Sequence, residues 1–211
     1  MKRKLTRIQI ITLLVTISPV IYFLINFVKG EYFPYPTLFL IQFSGNMAIL
    51  FLVLSLSCSP LQNTFGLGAM LRARKIFGLS SFYYALLHAF AFIGLDYQFN
   101  IGWLLPEFTS KPYLLLGLAA LILLIILAFT SIKRFQIRYS LFWKKLHKIV
   151  YAIALLVGIH QYLAIKGDKH NAVAYLIVFS MLMILRIPAI KSKIVLKNCS
   201  GCRKINQWLI T

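Results

Sequence analysis

Apolar residues run through this chain in long blocks separated by short polar stretches. Six blocks stand out, at 8–28, 38–57, 76–95, 113–132, 149–165 and 171–190. Each is roughly 17–21 residues, the length a helix needs to cross about 30 Å of hydrocarbon at 1.5 Å per residue. No low-complexity linker and no clear internal repeat interrupts them. The pattern therefore predicts a single domain over 1–211: all-α, a polytopic six-helix transmembrane bundle. The first block is too long for the apolar core of a signal peptide and lacks a small-residue cleavage site, so it reads as a retained span. Pro19 and Pro188 fall inside or at the end of spans. Membrane helices tolerate this when neighbours satisfy the freed carbonyls.

Composition sharpens the picture. Of 211 residues, 60% are hydrophobic and 13% charged, with a mean hydropathy of +0.82. A soluble domain carries about 25% charged residues. The charges are also sorted. Nineteen of the 23 basic residues lie before span 1, between spans 2 and 3, between spans 4 and 5, or at and after the end of span 6. The opposite side holds Lys29, Lys111, Lys166 and Lys169 with all four acids, Glu31, Asp96, Glu107 and Asp168. One face thus carries the whole formal charge of +19, and the other nets to zero. The positive-inside rule predicts both termini in the cytoplasm of a multi-pass protein of the bacterial cytoplasmic (inner) membrane. Basic cytoplasmic loops also meet anionic membrane lipid, so the high pI calls for no nucleic acid.

Other classes recede. About twenty residues follow span 6, too few for a soluble nucleotide-binding domain, and "GLGAM" (66–70) is not a G-x-G-x-x-G fingerprint. The spans contain no acids, so they offer no carboxylate relay of the kind expected in many proton-coupled transporters.

The spans do contain histidines. "LHKIVYAIALLVGIH" (146–160) carries His147 at the cytoplasmic start of span 5 and His160 deep within it, while His88 lies in span 3. Imidazoles in hydrocarbon are costly and usually functional or paired. Spans 3 and 5 both enter from the cytoplasm. His88 comes thirteen residues after Lys75 and His160 twelve after Lys148, which puts both roughly 18–20 Å in. Two imidazoles at matched depth on co-oriented helices can clamp one planar metal cofactor, and histidine is an axial ligand for haem iron. Zinc fits less well, because the span interiors offer no acids and only Cys58 as a thiol. His147 cannot share that site from a straight helix, since thirteen residues leave it about 140° away from His160. Either span 5 is locally irregular or His147 sits at its entrance with its own freedom. Arg74, fourteen residues before His88, occupies the matching inner depth on span 3 and suits a propionate or phosphate. His147 and Arg74 are thus candidates for a second site, for a flavin or another haem, unless His147 is a solvated loop residue. His170 follows "KGDK" and reads as a solvated loop residue.

"RARKIFGLSSFYYALLH" (72–88), "SKPYLLLGLAALILLIILAFTS" (110–131) and "WKKLHKIVYAIALLVGIHQYL" (143–163) resemble the MsrQ haem-binding membrane proteins, part of the wider ferric-reductase-like transmembrane superfamily. The likeness covers roughly residues 42–190. It implies haem b ligated by His88 and His160 through the haem iron, with His147 as the family's third histidine and Arg74 also at a family position. It implies FMN as a further cofactor. It also implies an electron-transfer subunit rather than the catalytic one. Such a subunit is fed by the quinone pool or a cytoplasmic flavin reductase. It passes electrons to an MsrP-like periplasmic molybdopterin reductase that repairs methionine sulfoxide. The tail "NCSGCRK" (198–204), with Cys199 and Cys202, is not a feature of that family. Two other readings are a ferric-reductase-like oxidoreductase with another extracytoplasmic acceptor and a non-redox transporter or assembly subunit.

A reporter active only in the periplasm should stay silent when fused after Thr211, and a cytoplasm-active one should work. Periplasmic activity there would overturn the topology and the depth argument with it.

Overall fold

The computed structural model describes residues 6–65 and 70–187. The Cys199/Cys202 pair, Pro188 and most of "GLGAM" lie outside them. The described residues form helices joined by short turns and loops, with no strand among them. The order is α1 (Arg7–Val28), α2 (Pro36–Phe65), α3 (Met70–Ala91) running into a π turn (Phe92–Asp96), α4 (Ile101–Ser110), α5 (Pro112–Thr130), α6 (Lys133–Arg138), α7 (Ser140–Leu146), a 3-10 turn (His147–Ile149), α8 (Val150–Ala164) and α9 (His170–Ile184). Five helical stretches are long and apolar enough to cross a membrane: Arg7–Val28, Pro36–Thr64, Met70–Asp96, Pro112–Thr130 and Ser140–Ala164. The helix corresponding to the predicted sixth span, α9, is apolar but has fifteen residues.

The first three predicted spans sit within these helices, and the fourth and fifth end one or two residues beyond theirs. The sixth, 171–190, runs past α9, which ends at Ile184, into residues outside the described ones, and α2 continues eight residues past the predicted end through Pro60. Two polar stretches also gain structure. The loop between the third and fourth predicted spans forms α4, whose start is capped by Asn100 Oδ1 accepting from Trp103 N–H at 3.3 Å. The loop between the fourth and fifth forms α6 and α7.

Membrane helices gain little from excluding water among themselves, so packing and interhelical hydrogen bonds hold them together. Ile49, Leu52 and Leu56 of α2 pack with Leu124 and Leu127 of α5, Ile153 and Ala154 of α8, and Phe179 and Leu182 of α9. A second cluster joins Ala48 and Phe51 of α2 to Tyr84 of α3. Hydroxyls fasten the helices: Ser81 Oγ donates to the Ala48 carbonyl at 2.8 Å, Ser55 Oγ to the Arg74 carbonyl at 3.1 Å, and Tyr84 Oη to the Thr16 carbonyl at 2.9 Å. Large apolar side chains such as Leu14, Ile17, Ile21 and Leu24 of α1 face outward, as lipid contact requires.

Gly158 of α8 lets α9 approach closely, because a Cβ there would lie 2.5 Å from Leu176 Cδ2. Gly158→Val should destabilise the bundle by about 1–3 kcal/mol, the usual cost of overpacking. Thermal unfolding in detergent checks this, and an unchanged midpoint would mean that α9 is not packed here.

Candidate functional site: a histidine pair and a basic inner cluster

His88 on α3 and His160 on α8 come together. Their ring centroids are 6.4 Å apart with ring planes at 85°. Each ring is held from behind. His88 Nδ1 lies 2.9 Å from the Ile41 carbonyl oxygen of α2, and His160 Nδ1 lies 2.7 Å from the Tyr113 carbonyl oxygen of α5. A carbonyl can only accept, so both Nδ1 atoms carry the proton and both Nε2 atoms keep a lone pair. That is the tautomer a metal-binding imidazole needs, with the second-shell bond fixing its orientation.

Glycines make this approach possible. Gly45 and Gly117 each stand one helical turn beyond the accepting carbonyl. A Cβ on Gly45 would come within 3.0 Å of His88 Nδ1, and one on Gly117 within 2.8 Å of His160 Cε1. Both contacts are tighter than side chains normally tolerate, so each imidazole occupies the space of a missing methyl group. Beside the pair, Gln161 is buried and its Nε2 donates to Asn46 Oδ1 at 3.4 Å, while Gln161 Oε1 has no partner.

With metal–imidazole bonds of about 2.0–2.1 Å, two rings sharing one metal have centroids about 6 Å apart. The observed separation fits a single metal between the rings. Among the described residues no cluster of three or more His, Cys, Asp or Glu side chains could hold an ion by itself. The pair offers two imidazole nitrogens, a donor set that would suit a metal group bringing its remaining ligands with it.

The other end of α3 and α8 forms a second, basic cluster. His147 begins the 3-10 turn that joins α7 to α8. Span 5 is therefore irregular at this histidine, one of the two outcomes the helical angle allowed. Its ring lies 4.4 Å from the Trp143 ring, and Nε2 lies 3.4 Å from Ser131 Oγ. Arg74 Nη1 donates to Ser59 Oγ at 3.2 Å and is close enough to His147 to interact electrostatically. The structure thus brings the predicted inner pair into one region and keeps it apart from His88 and His160. His170 lies elsewhere, 94% exposed beside Asp168.

Several members of these sites were not assigned a role from the sequence. Arg186 counted only as a charge at the end of span 6. In the structure its guanidinium donates to Tyr151 Oη and the Leu56 carbonyl, and it lies over the Tyr151 ring. Gly117 and Gln161 gave no local signal, because their importance lies in what a neighbouring helix brings against them.

This chain belongs to the ferric reductase like transmembrane component family, whose pattern it matches over residues 10–158. It is 30% identical over 177 residues to the protein-methionine-sulfoxide reductase heme-binding subunit MsrQ of Rhodospirillum rubrum, covering 83% of this chain and 85% of that protein. A similar subunit from Yersinia pseudotuberculosis is 30% identical over 185 residues, covering 87% of this chain and 91% of that one. The magnetosome protein MamZ of Magnetospirillum gryphiswaldense is 35% identical over 161 residues, 75% of this chain. The chain spans about a quarter of that relative's length, 24%. A membrane electron-transfer role is common ground for this family and the MsrQ proteins.

Proposed function

We propose that this protein is a six-span haem b subunit of the bacterial inner membrane that carries electrons outward, with both termini cytoplasmic, and that His88 and His160 are the residues that would hold the haem iron. The observation that carries the reading is the imidazole pair, 6.4 Å between centroids, each ring fixed by a backbone carbonyl and seated on a glycine. The name of the MsrQ relatives, haem-binding subunits, supports the choice of group. Bound there, haem supplies one-electron chemistry, with a potential set by its ligands and surroundings.

The residues do the rest. The Ile41 and Tyr113 carbonyls hold both rings in the ligating tautomer and raise their basicity. Gly45 and Gly117 leave the rings room to lie against α2 and α5. The apolar neighbours exclude water. His147 and Arg74 line the inner site, about 20 Å nearer the cytoplasm by thirteen residues at 1.5 Å each. There the electron donor, a quinol or a flavin such as FMN, delivers its electrons. The acceptor is a periplasmic reductase of the MsrP-like molybdopterin type, acting on methionine sulfoxide in proteins. A second reading, the same electron path with a different extracytoplasmic acceptor, is favoured by the match to the ferric reductase like transmembrane component family over residues 10–158. Reduction of a purified methionine sulfoxide reductase by this protein, compared with reduction of ferric iron, separates the two.

His88→Ala and His160→Ala should each lose most of the bound haem, read from the Soret band of the purified protein. His170→Ala should keep it. Gly117→Val should shift or abolish the low-spin spectrum by displacing the His160 ring. A folded His88→Ala protein with an unchanged low-spin spectrum would disprove the ligand assignment.

His147→Ala should leave the outer haem bound and reducible by dithionite, while slowing reduction by the physiological donor at least about tenfold, the effect of about 1.4 kcal/mol on a barrier. Loss of the outer haem in this variant would sink the two-site reading.

A further inference from the structure

Two arginines converge on one stretch of α2. Arg186 Nη2 donates to the carbonyl of Leu56, and Arg74 Nη1 donates to the hydroxyl of Ser59, one helical turn further on. The guanidiniums are near enough to interact electrostatically, with Cys58 and Tyr151 in range of the same charges. Both arginines are half-buried, and like charges drawn partly out of water call for a counter-charge. This chain cannot supply it from its acidic side chains. It has four acids in all. Glu107 pairs with Lys111 and Asp168 lies against His170. Glu31 follows the end of α1 and Asp96 ends the π turn, both at the opposite end of these helices from this cluster.

Donor accounting points the same way. A guanidinium has five N–H donors. Arg186 uses its Nη groups on Tyr151 and Leu56, and its Nε is buried without a partner among the described residues. Among the described residues Arg74 makes one side-chain hydrogen bond, to Ser59. Trp143 Nε1, next to His147, is also buried and unpartnered. Two positive groups with donors to spare and no carboxylate match an oxyanion, which accepts several N–H bonds at once.

We propose that Arg74 and Arg186 form a phosphate oxyanion site at the inner end of α2, α3, α8 and α9, filled by an anionic phospholipid headgroup or by a soluble phosphoryl group. It deepens the inner-site reading and rests on it for location only, since the binding needs neither haem nor electron transfer. Arg186 is the member that the histidine arrangement does not require.

The full chain purified in dodecyl maltoside, a phosphate-free detergent, provides the test. Thermal unfolding is followed with inorganic phosphate added, or with phosphatidylglycerol in mixed micelles, against equal chloride and against phosphatidylcholine. At saturation the wild type should gain several degrees in Tm from at least one probe, as any ligand selective for the folded state requires. Stabilisation by phosphatidylglycerol alone assigns the site to lipid, and stabilisation by inorganic phosphate assigns it to a soluble source. Arg186→Gln and Arg74→Gln should each weaken the response about tenfold or more, the usual weight of a charge-assisted hydrogen bond. Arg186→Lys should retain part of it, and Arg134→Gln, in the adjacent basic loop, all of it. Circular dichroism and the Soret band of each sample report folding and haem content separately. A wild type that responds to neither probe, or a folded Arg186→Gln protein that responds like wild type, overturns the proposal even if the haem reading stands.

Discussion

Hydrocarbon offers no water to a backbone carbonyl or to a polar side chain, so each must find its partner within the bundle. Much of this molecule follows from that rule. Pro60 cannot donate to the Leu56 carbonyl four residues before it, and Arg186 donates there instead. Pro19 likewise leaves the Val15 carbonyl without its helical partner, and Ser18 Oγ donates to it at 3.1 Å. Ser81 and Tyr84 spend their hydroxyls on carbonyls of α2 and α1. The two histidines obey the same rule. Each satisfies one ring nitrogen on a carbonyl, and that bond leaves the other nitrogen available for a ligand.

The two halves of the site repeat. Both histidines lie 47 residues after the carbonyl they bond. Ile41, Gly45, Ser59 and His88 of the α2/α3 hairpin correspond at one constant offset to Tyr113, Gly117, Ser131 and His160 of α5 and α8. The correspondence fails at the inner end. Arg74 reaches Ser59 and His147 reaches Ser131, but His147 is one position late, and the 3-10 turn at His147–Ile149 lies at this break. The outer end is therefore matched, imidazole against imidazole. The inner end is mixed, guanidinium against imidazole. A matched pair suits two ligands to one metal, whereas a mixed pair suits an anionic group that arrives and leaves.

The sequence made five of the spans, the meeting of His88 with His160 and the separation of His147 from that pair legible, because these depend on hydropathy and on residues counted along a helix. Its quoted motifs also carried the family. The repeat escaped because it is a pattern of contacts: a glycine, a carbonyl one turn earlier and a ring from another helix leave almost no trace in residue type. Arg186 escaped for a related reason. One more arginine near the end of an apolar block looks like part of the positive-inside signal, and its role depends on Pro60, more than a hundred residues away. The helices α4, α6 and α7 were hidden in loops too short for a periodic pattern.

The charge pattern and the broken repeat act together. The loops and ends that the charge pattern predicts to be inner carry nineteen of the 23 basic residues, and the mixed Arg74/His147 pair lies at that end of α3 and α8, while the loops predicted to be outer net to zero. On the proposed reading, an anionic donor is drawn by the inner surface, and an acceptor docks on an outer surface without strong charge. Long-range attraction between exposed charges fades beyond about 10 Å at 0.1 M salt. Donor affinity should therefore depend on ionic strength, whereas acceptor docking should depend on shape and apolar contact. Trp103, Ile101 and Leu105, exposed on α4, suit contact of the second kind. The direction of electron flow would then be set by which partner each face can hold, with the spans between them keeping water and stray acceptors from the histidine pair.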